Sequence, residues 1–81
     1  MTTAHTTKQI KHAINGVEFL STYKITTRAG FNGVALECVE VDHAYKDGRV
    51  VASNTISNHE SPDVAFRAYK KAIEKKEWGV M

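Results

Sequence analysis

Residues 61–79 read SPDVAFRAYKKAIEKKEWG, and they decide the fold because they predict one amphipathic helix. Ser61 is a typical N-cap residue, Pro62 suits the first helical position, and Asp63 complements the positive end of the helix dipole. Gly79 is a typical stop signal. The predicted apolar stripe of this helix consists of Val64, Ala65, Ala68, Tyr69, Ala72 and Ile73, with Phe66 at its edge.

Three dipeptides upstream of the helix indicate tight turns: Asn15-Gly16, Asn32-Gly33 and Asp47-Gly48. Asn, Asp and Gly tolerate the positive φ angles of a type I′ hairpin turn. The stretches between them alternate apolar and polar residues, as half-buried strands do. We therefore expect one α+β domain over residues 1–81, in which an antiparallel meander of three to four strands carries a C-terminal helix on one face. Residues 1–7 are polar, and we expect a loose N-terminal segment there.

Residues 8–14 fit two interpretations. Ile10, Ala13 and Ile14 have helical spacing, whereas Ile10, His12 and Ile14 would share the core face of a strand. The segment is short for an isolated helix and a strong hairpin signal follows it, so a strand is favoured and a helix stays open.

A two-residue loop at Asp47-Gly48 would set the register of the last hairpin. The expected pairs are Tyr45–Val50, Ala44–Val51, His43–Ala52, Asp42–Ser53, Val41–Asn54, Glu40–Thr55 and Val39–Ile56. The preceding strand pair then needs a β-bulge near Glu37-Cys38 to return Leu36 to the core side. In the core we expect Tyr69, Ala72 and Ile73 to pack on Phe19, Tyr23, Val41 and Ile56.

The composition excludes several classes of protein. Eighty-one residues suffice for one small domain, and a net charge of +2 is too small to indicate nucleic-acid binding by itself. The lone Cys38 cannot form an internal disulfide, which favours a reducing compartment. No apolar run could span a membrane, and the N-terminal residues lack the order of a signal peptide. We therefore expect a cytoplasmic protein without membrane association.

The sequence contains no motif for catalysis or metal binding. It has no Gly-rich phosphate loop, no metal-spaced His/Cys cluster and no nucleophile–base motif. His43 falls on the predicted core face near the hairpin tip, where we expect a partly exposed packing role. Cys38 is expected to be a small buried hydrophobe. We therefore expect a protein that is not an enzyme and that uses no cofactor and no metal.

Two charged surfaces are candidate binding sites. The first is a partner-binding set on the exposed sheet face and the hairpin tip: Glu40, Asp42, Tyr45, Asp47 and Val51. Glu40 and Asp42 could oppose a basic groove of a partner, or they could pair with neighbours such as Lys24 and keep the sheet soluble. The second surface is the polar side of the helix, a candidate for nucleic acid or for a simple solvated face: Arg67, Lys70, Lys71 and Lys75.

Two short segments resemble a known family. Thr22-Tyr23-Lys24-Ile25 followed by Ala29-Gly30-Phe31-Asn32-Gly33 is similar to a stretch of a small phage-encoded anti-CRISPR protein that inhibits a type II-C Cas9. The general plan is also similar to inhibitors of the type I surveillance complex. Residues 77–81 do not match the C-terminal residues through which the Cas9 inhibitor works, so no contact residue carries over.

The resemblance implies a non-enzymatic phage protein that binds a CRISPR-Cas effector in the bacterial host cytoplasm. Such a protein would block target DNA binding or cleavage, as a monomer or a homodimer, and the effector type stays open. Residues 59–65 (HESPDVA) are in addition similar to the core of HicB antitoxins, which bind a toxin. A HicB-like module and a nucleic-acid-binding protein therefore stay as alternatives.

Overall fold

Residues 3–30 and 33–76, which the computed structural model describes, form four β-strands and one α-helix. In chain order these are β1 (Thr3–Ile14), β2 (Val17–Ala29), β3 (Ala35–Tyr45), β4 (Val50–His59) and α1 (Pro62–Lys75). Each strand pairs antiparallel with the next, so the sheet is a meander in the order β1-β2-β3-β4. The helix packs across β2, β3 and β4 on one face of the sheet. The predicted α+β architecture is confirmed.

The N-terminal part of the chain belongs to the sheet. β1 begins at Thr3, so residues 8–14 form a strand and not a helix. The expected loose segment over residues 1–7 is wrong for residues 3–7, because these also pair with β2. The turn at Asn15-Gly16 has φ angles of 51° and 81°, which agree with the predicted type I′ hairpin.

The β3–β4 loop has three residues instead of the predicted two. The Gly48 N–H donates to the Tyr45 carbonyl at 2.9 Å, and the Tyr45 N–H donates to the Arg49 carbonyl at 2.9 Å. Gly48 has φ 93°, a left-handed conformation that an L side chain would strain. This geometry is the usual three-residue hairpin, in which a turn is followed by a residue in the left-handed region.

Two irregularities in the β3–β4 register correct the predicted pairing at both ends. The four central pairs are as expected: His43–Ala52, Asp42–Ser53, Val41–Asn54 and Glu40–Thr55. Ala44 however pairs with Val50, and Val39 pairs with Ser57, so Val51 and Ile56 are the extra residues. The three-residue loop shifts the pairing next to it by one residue from the prediction. The extra residue Val51 cancels this shift, so the central pairs are those predicted.

The β-bulge predicted near Glu37-Cys38 is wrong. The β2–β3 register runs without interruption from Phe19–Tyr45 to Ala29–Ala35. Leu36 and Cys38 therefore stay on the face that α1 does not cover, and Cys38 is buried there. The face opposite α1 also buries side chains, such as Thr26 and Cys38. The alternation of β3 can therefore continue through Glu37-Cys38 without a bulge. Asn32, from the predicted turn at Asn32-Gly33, lies outside the described residues.

The core lies between α1 and the sheet. Its buried members are Tyr23, Ile25, Val39, Val41, Ala65, Tyr69 and Ala72, against which Ile10, Ile56, Ala68 and Ile73 pack partly buried. The small side chains of Ala65 and Ala72 leave room for the helix to approach the sheet closely. This matches the predicted packing, except that Phe19 lies outside the cluster and stacks on Tyr45, with ring centroids 5.5 Å apart.

The ends of α1 differ from the prediction in detail. Ser61 occupies the N-cap position, but its side chain makes no capping hydrogen bond. The helix ends at Lys75, because Lys76 takes φ 53° and its N–H donates to two carbonyls of the last turn. This stop precedes Gly79, which lies outside the described residues. Val64, expected in the apolar stripe, is 39% exposed.

Candidate functional site

The uncovered face, the side of the sheet opposite α1, carries two ion pairs between β2 and β3. Lys24 Nζ donates to Asp42 Oδ2 at 2.8 Å, and Arg28 Nη2 donates to Glu40 Oε2 at 2.7 Å. Lys24 lies directly opposite Glu40 in the register, so both ion pairs run diagonally across the strands. Four charged groups are thereby fixed on the central strands of the sheet.

The ion pair between Arg28 and Glu40 lies diagonally across the cross-strand pair Thr26–Cys38. Thr26 and Cys38 are only 2% and 4% exposed, although no helix covers them. The aliphatic stems of long charged side chains cover apolar surface in this way. Burial raises the pKa of the Cys38 thiol, so the thiol is protonated at neutral pH and is a poor nucleophile. The expectation of a small buried hydrophobe is confirmed.

The five predicted partner-binding residues do not form one surface. Glu40 and Asp42 lie together on the uncovered face. Val51 is the extra residue at the irregularity in β4 and is exposed. Asp47 and Tyr45 lie at the tip of the β3–β4 hairpin, and Tyr45 falls on the same strand parity as the buried residues of β3.

The hairpin tip is held together by its own side chains. The Tyr45 ring stacks on Phe19, and the Arg49 guanidinium carbon lies 5.2 Å from the Tyr45 ring centroid. Asp47 Oδ1 accepts the Arg49 N–H at 2.9 Å, and the two side chains form an ion pair of 3.7 Å. Tyr45 therefore helps to build the tip through its contacts with Phe19 and Arg49.

The four predicted helix cations, Arg67, Lys70, Lys71 and Lys75, are all exposed on α1. Among the described residues, none of them forms an ion pair with a carboxylate. Lys70 Nζ lies over the ring of Phe66, 5.6 Å from its centroid. The helix thus differs from the β2 part of the uncovered face, where Lys24 and Arg28 each have a carboxylate partner.

A hydrogen-bonded chain of three side chains, which sequence reasoning missed, lies on the α1 side of the sheet. His12 Nε2 is 2.6 Å from Ser21 Oγ, and Ser21 Oγ is 2.7 Å from His43 Nδ1. The single hydroxyl proton can be donated to one imidazole only, while the oxygen accepts from the other. Ser21 and His43 have no exposed surface, so the expected partial exposure of His43 is wrong and no substrate can reach the hydroxyl.

Burial lowers the pKa of His12 below its ordinary value of 6.5, and electrostatic interactions with His43 and Lys76 lower it further. The signal that could have revealed this chain is strand parity. His12 shares its parity with Ile10, and Ser21 and His43 share theirs with Tyr23 and Val41. Polar residues on three adjacent strands at core parity indicate a buried hydrogen-bonded group.

A second polar network joins β1, β2 and β3 through Glu37. Glu37 Oε2 accepts from Thr27 Oγ1 at 2.9 Å and lies 2.9 Å from His5 Nε2. The hydrogen bonds from His5 and then Thr27 hold the pKa of Glu37 below its ordinary value of 4.5, although burial opposes this. His5 lies at an irregularity in the β1–β2 register, and no sequence pattern indicated that irregularity.

Within residues 3–30 and 33–76, no three His, Cys, Asp or Glu side chains are grouped so that they could hold a metal ion. No helix in that part of the chain is long and apolar enough to cross a membrane. No protein-family model, curated protein or solved structure matches the chain.

Proposed function

We propose that this protein acts by binding, without catalysis, and that its partner is a CRISPR-Cas effector of a bacterial host. In this proposal a phage-encoded protein occupies the effector and sterically blocks target DNA binding or cleavage. The class of partner comes from the resemblance of residues 22–25 and 29–33 to anti-CRISPR proteins. The proposed place of action is the host cytoplasm.

Residues 22–25 of the resembling segment support the proposal as a similarity of fold, because Tyr23 and Ile25 among them contribute to the core and not to an exposed contact surface. Tyr23 is fully buried and Ile25 is 2% exposed, so both belong to the core. Only Thr22 and Lys24 of this strand segment project to the uncovered face, and Lys24 is engaged with Asp42. The similarity therefore describes how the central strand is built, and the binding residues must be sought on the surface around it.

The observation that carries the proposal is the fixed charge pattern of the uncovered face. The ion pairs Lys24–Asp42 and Arg28–Glu40 hold two cations and two carboxylates on adjacent strands. A surface that is ordered before binding loses less side-chain entropy on association. A partner must also match the order of the charges, which favours specificity over non-specific attraction.

Interference against phage tests the proposed function directly. Hosts with a type I or a type II system and a matching spacer are infected with and without expression of the protein, beside a host that lacks the system. We expect plaque formation to rise by several orders of magnitude on at least one CRISPR-bearing host and to stay unchanged on the host without it. Undiminished protection in both types, at verified expression, would exclude the function.

A further inference from the structure

We propose that the outer face of α1 is a separate docking surface for a single strand of nucleic acid. Its central feature is a row of cations at positions i, i+4 and i+8: Arg67, Lys71 and Lys75. Residues four apart on a helix are separated by about 6 Å along its axis and lie nearly above one another. The row therefore presents three regularly spaced positive charges to an extended polyanion.

The positive charge of the chain is concentrated on this helix. Residues 62–76 contain five lysines or arginines against two carboxylates, Asp63 and Glu74, a net charge of +3. The whole chain has a net charge of +2, so the remaining residues carry one net negative charge. A basic stripe on one element of a nearly neutral chain is the electrostatic footprint of a phosphate-binding surface.

Arg67, Lys71 and Lys75 are available because none of them forms an ion pair among residues 3–30 and 33–76. On the uncovered face, Lys24 and Arg28 lie 2.8 and 2.7 Å from their carboxylate partners. At the hairpin tip, Lys46 and Arg49 also have acidic partners, at 3.4 and 3.7 Å. A polyanion approaching α1 would compete with none of the ion pairs among residues 3–30 and 33–76.

An exposed aromatic ring beside the cations favours a single strand over a duplex. Phe66 is 48% exposed, and Lys70 lies over its ring. The Tyr69 ring is stacked with the Phe66 ring, with centroids 6.0 Å apart and an interplanar angle of 22°. An aromatic side chain beside a basic groove provides a platform on which an unpaired base stacks, whereas the bases of a duplex are already stacked. A shallow groove on the same helix is lined by the apolar residues Val64 and Ala68 together with Arg67, Lys70 and Lys71.

Fluorescence anisotropy with a labelled single-stranded oligonucleotide of mixed sequence tests this surface in purified protein. We expect binding at low salt, with log K falling against log salt at a slope of about −2, the value for three phosphate contacts to a single strand. The triple change Arg67→Gln, Lys71→Gln and Lys75→Gln should abolish both the binding and the slope. The matched control removes two cations away from α1, Lys11→Gln with Lys46→Gln, and should bind like the wild type.

Phe66→Ala separates stacking from charge. We expect it to weaken single-strand binding by about tenfold while leaving the salt slope unchanged, because one base–aromatic stack is lost and no phosphate contact is removed. The proposal is overturned if no complex forms at low salt, or if the control variant loses as much as the triple variant. Equal binding of a duplex, of polyglutamate or of phosphatidylserine vesicles would also overturn it. No effector is present in this experiment, so its outcome is independent of the proposed inhibitory function.

Discussion

Ser21 Oγ and His43 Nδ1 lie 2.7 Å apart, and neither side chain has any surface exposed to solvent. The hydrogen bond joins adjacent positions on β2 and β3, and His12 extends it to β1. A polar chain is thus built into the face of the sheet that α1 covers. Buried polar groups are costly when they lose their partners, so this chain should favour one arrangement of the three strands.

Ser21→Ala should destabilise the protein by about 1–3 kcal/mol, because it removes the hydroxyl that both imidazoles contact in a buried site. The free energy of unfolding from urea titration measures this loss. Ser53→Ala is the matched control, since Ser53 is an exposed strand residue, and it should stay within about 0.5 kcal/mol of the wild type. Equal effects of the two substitutions would show that the chain contributes nothing to stability.

Stability should fall in acid in two steps. The pKa of His12 is lowered in the folded state, so the unfolded chain binds a proton more readily and the His12 contribution is lost as pH falls below about 6.5. The pKa of Glu37 is also lowered, so its contribution is lost at lower pH, below about 4.5. Urea midpoints measured across this range should therefore show two declines.

Single substitutions assign the two steps. His12→Gln should flatten the decline that begins as pH falls below about 6.5 and leave the lower one in place. Glu37→Gln should flatten the decline below about pH 4.5 and leave the decline that depends on His12 in place. A stability that is independent of pH between 7.5 and about 5.5 in the wild type would contradict the role given to His12.

Ala72→Leu tests which face of α1 is buried. Ala72 is 1% exposed against the sheet, so a larger side chain should overpack the contact and cost about 1–3 kcal/mol. The adjacent substitution Lys71→Leu adds the same side chain on the exposed side and should change the unfolding free energy by less than about 0.5 kcal/mol. The opposite order of effects would mean that α1 docks through its other face.

The fold was largely predictable because its main signals are local. The start of α1 at Pro62 and the type I′ turn at Asn15-Gly16 each depend on a few adjacent residues. The loop at Asp47-Gly48 was harder, because two-residue and three-residue hairpins use the same residue types. The loop length then shifted the pairing at the ends of β4, although the central register was right.

The candidate sites were less predictable because they depend on contacts between strands. Sequence reasoning placed Glu40 and Asp42 on an exposed face and offered Lys24 as a neighbour that could pair with them, and Lys24 does pair with Asp42. That Arg28 pairs with Glu40 follows from a diagonal contact, which the alternation of one strand does not show. The same holds for Ser21, whose two histidine contacts come from β1 and β3. The predicted bulge at Glu37-Cys38 failed for a related reason, since the alternation rule assumed that only one face buries side chains.

The central claim is that the partner binds the uncovered face and recognises the arrangement of its charges. Exchanging the charges of one ion pair, Lys24→Asp with Asp42→Lys, keeps an attractive pair across the strands but inverts the order of charge that a partner meets. The matched control exchanges the pair Lys46 and Glu18, which lie 3.4 Å apart and are 77% and 64% exposed. Unfolding midpoints close to that of the wild type establish that both variants fold.

The decisive measurement is phage plaque formation on a host whose CRISPR-Cas system the wild-type protein blocks. We expect the exchange of Lys24 and Asp42 to reduce inhibition by at least about tenfold, corresponding to about 1.4 kcal/mol of binding free energy. The exchange of Lys46 and Glu18 should inhibit like the wild type. Full inhibition by the folded Lys24 and Asp42 variant would contradict the claim that the uncovered face is the binding surface.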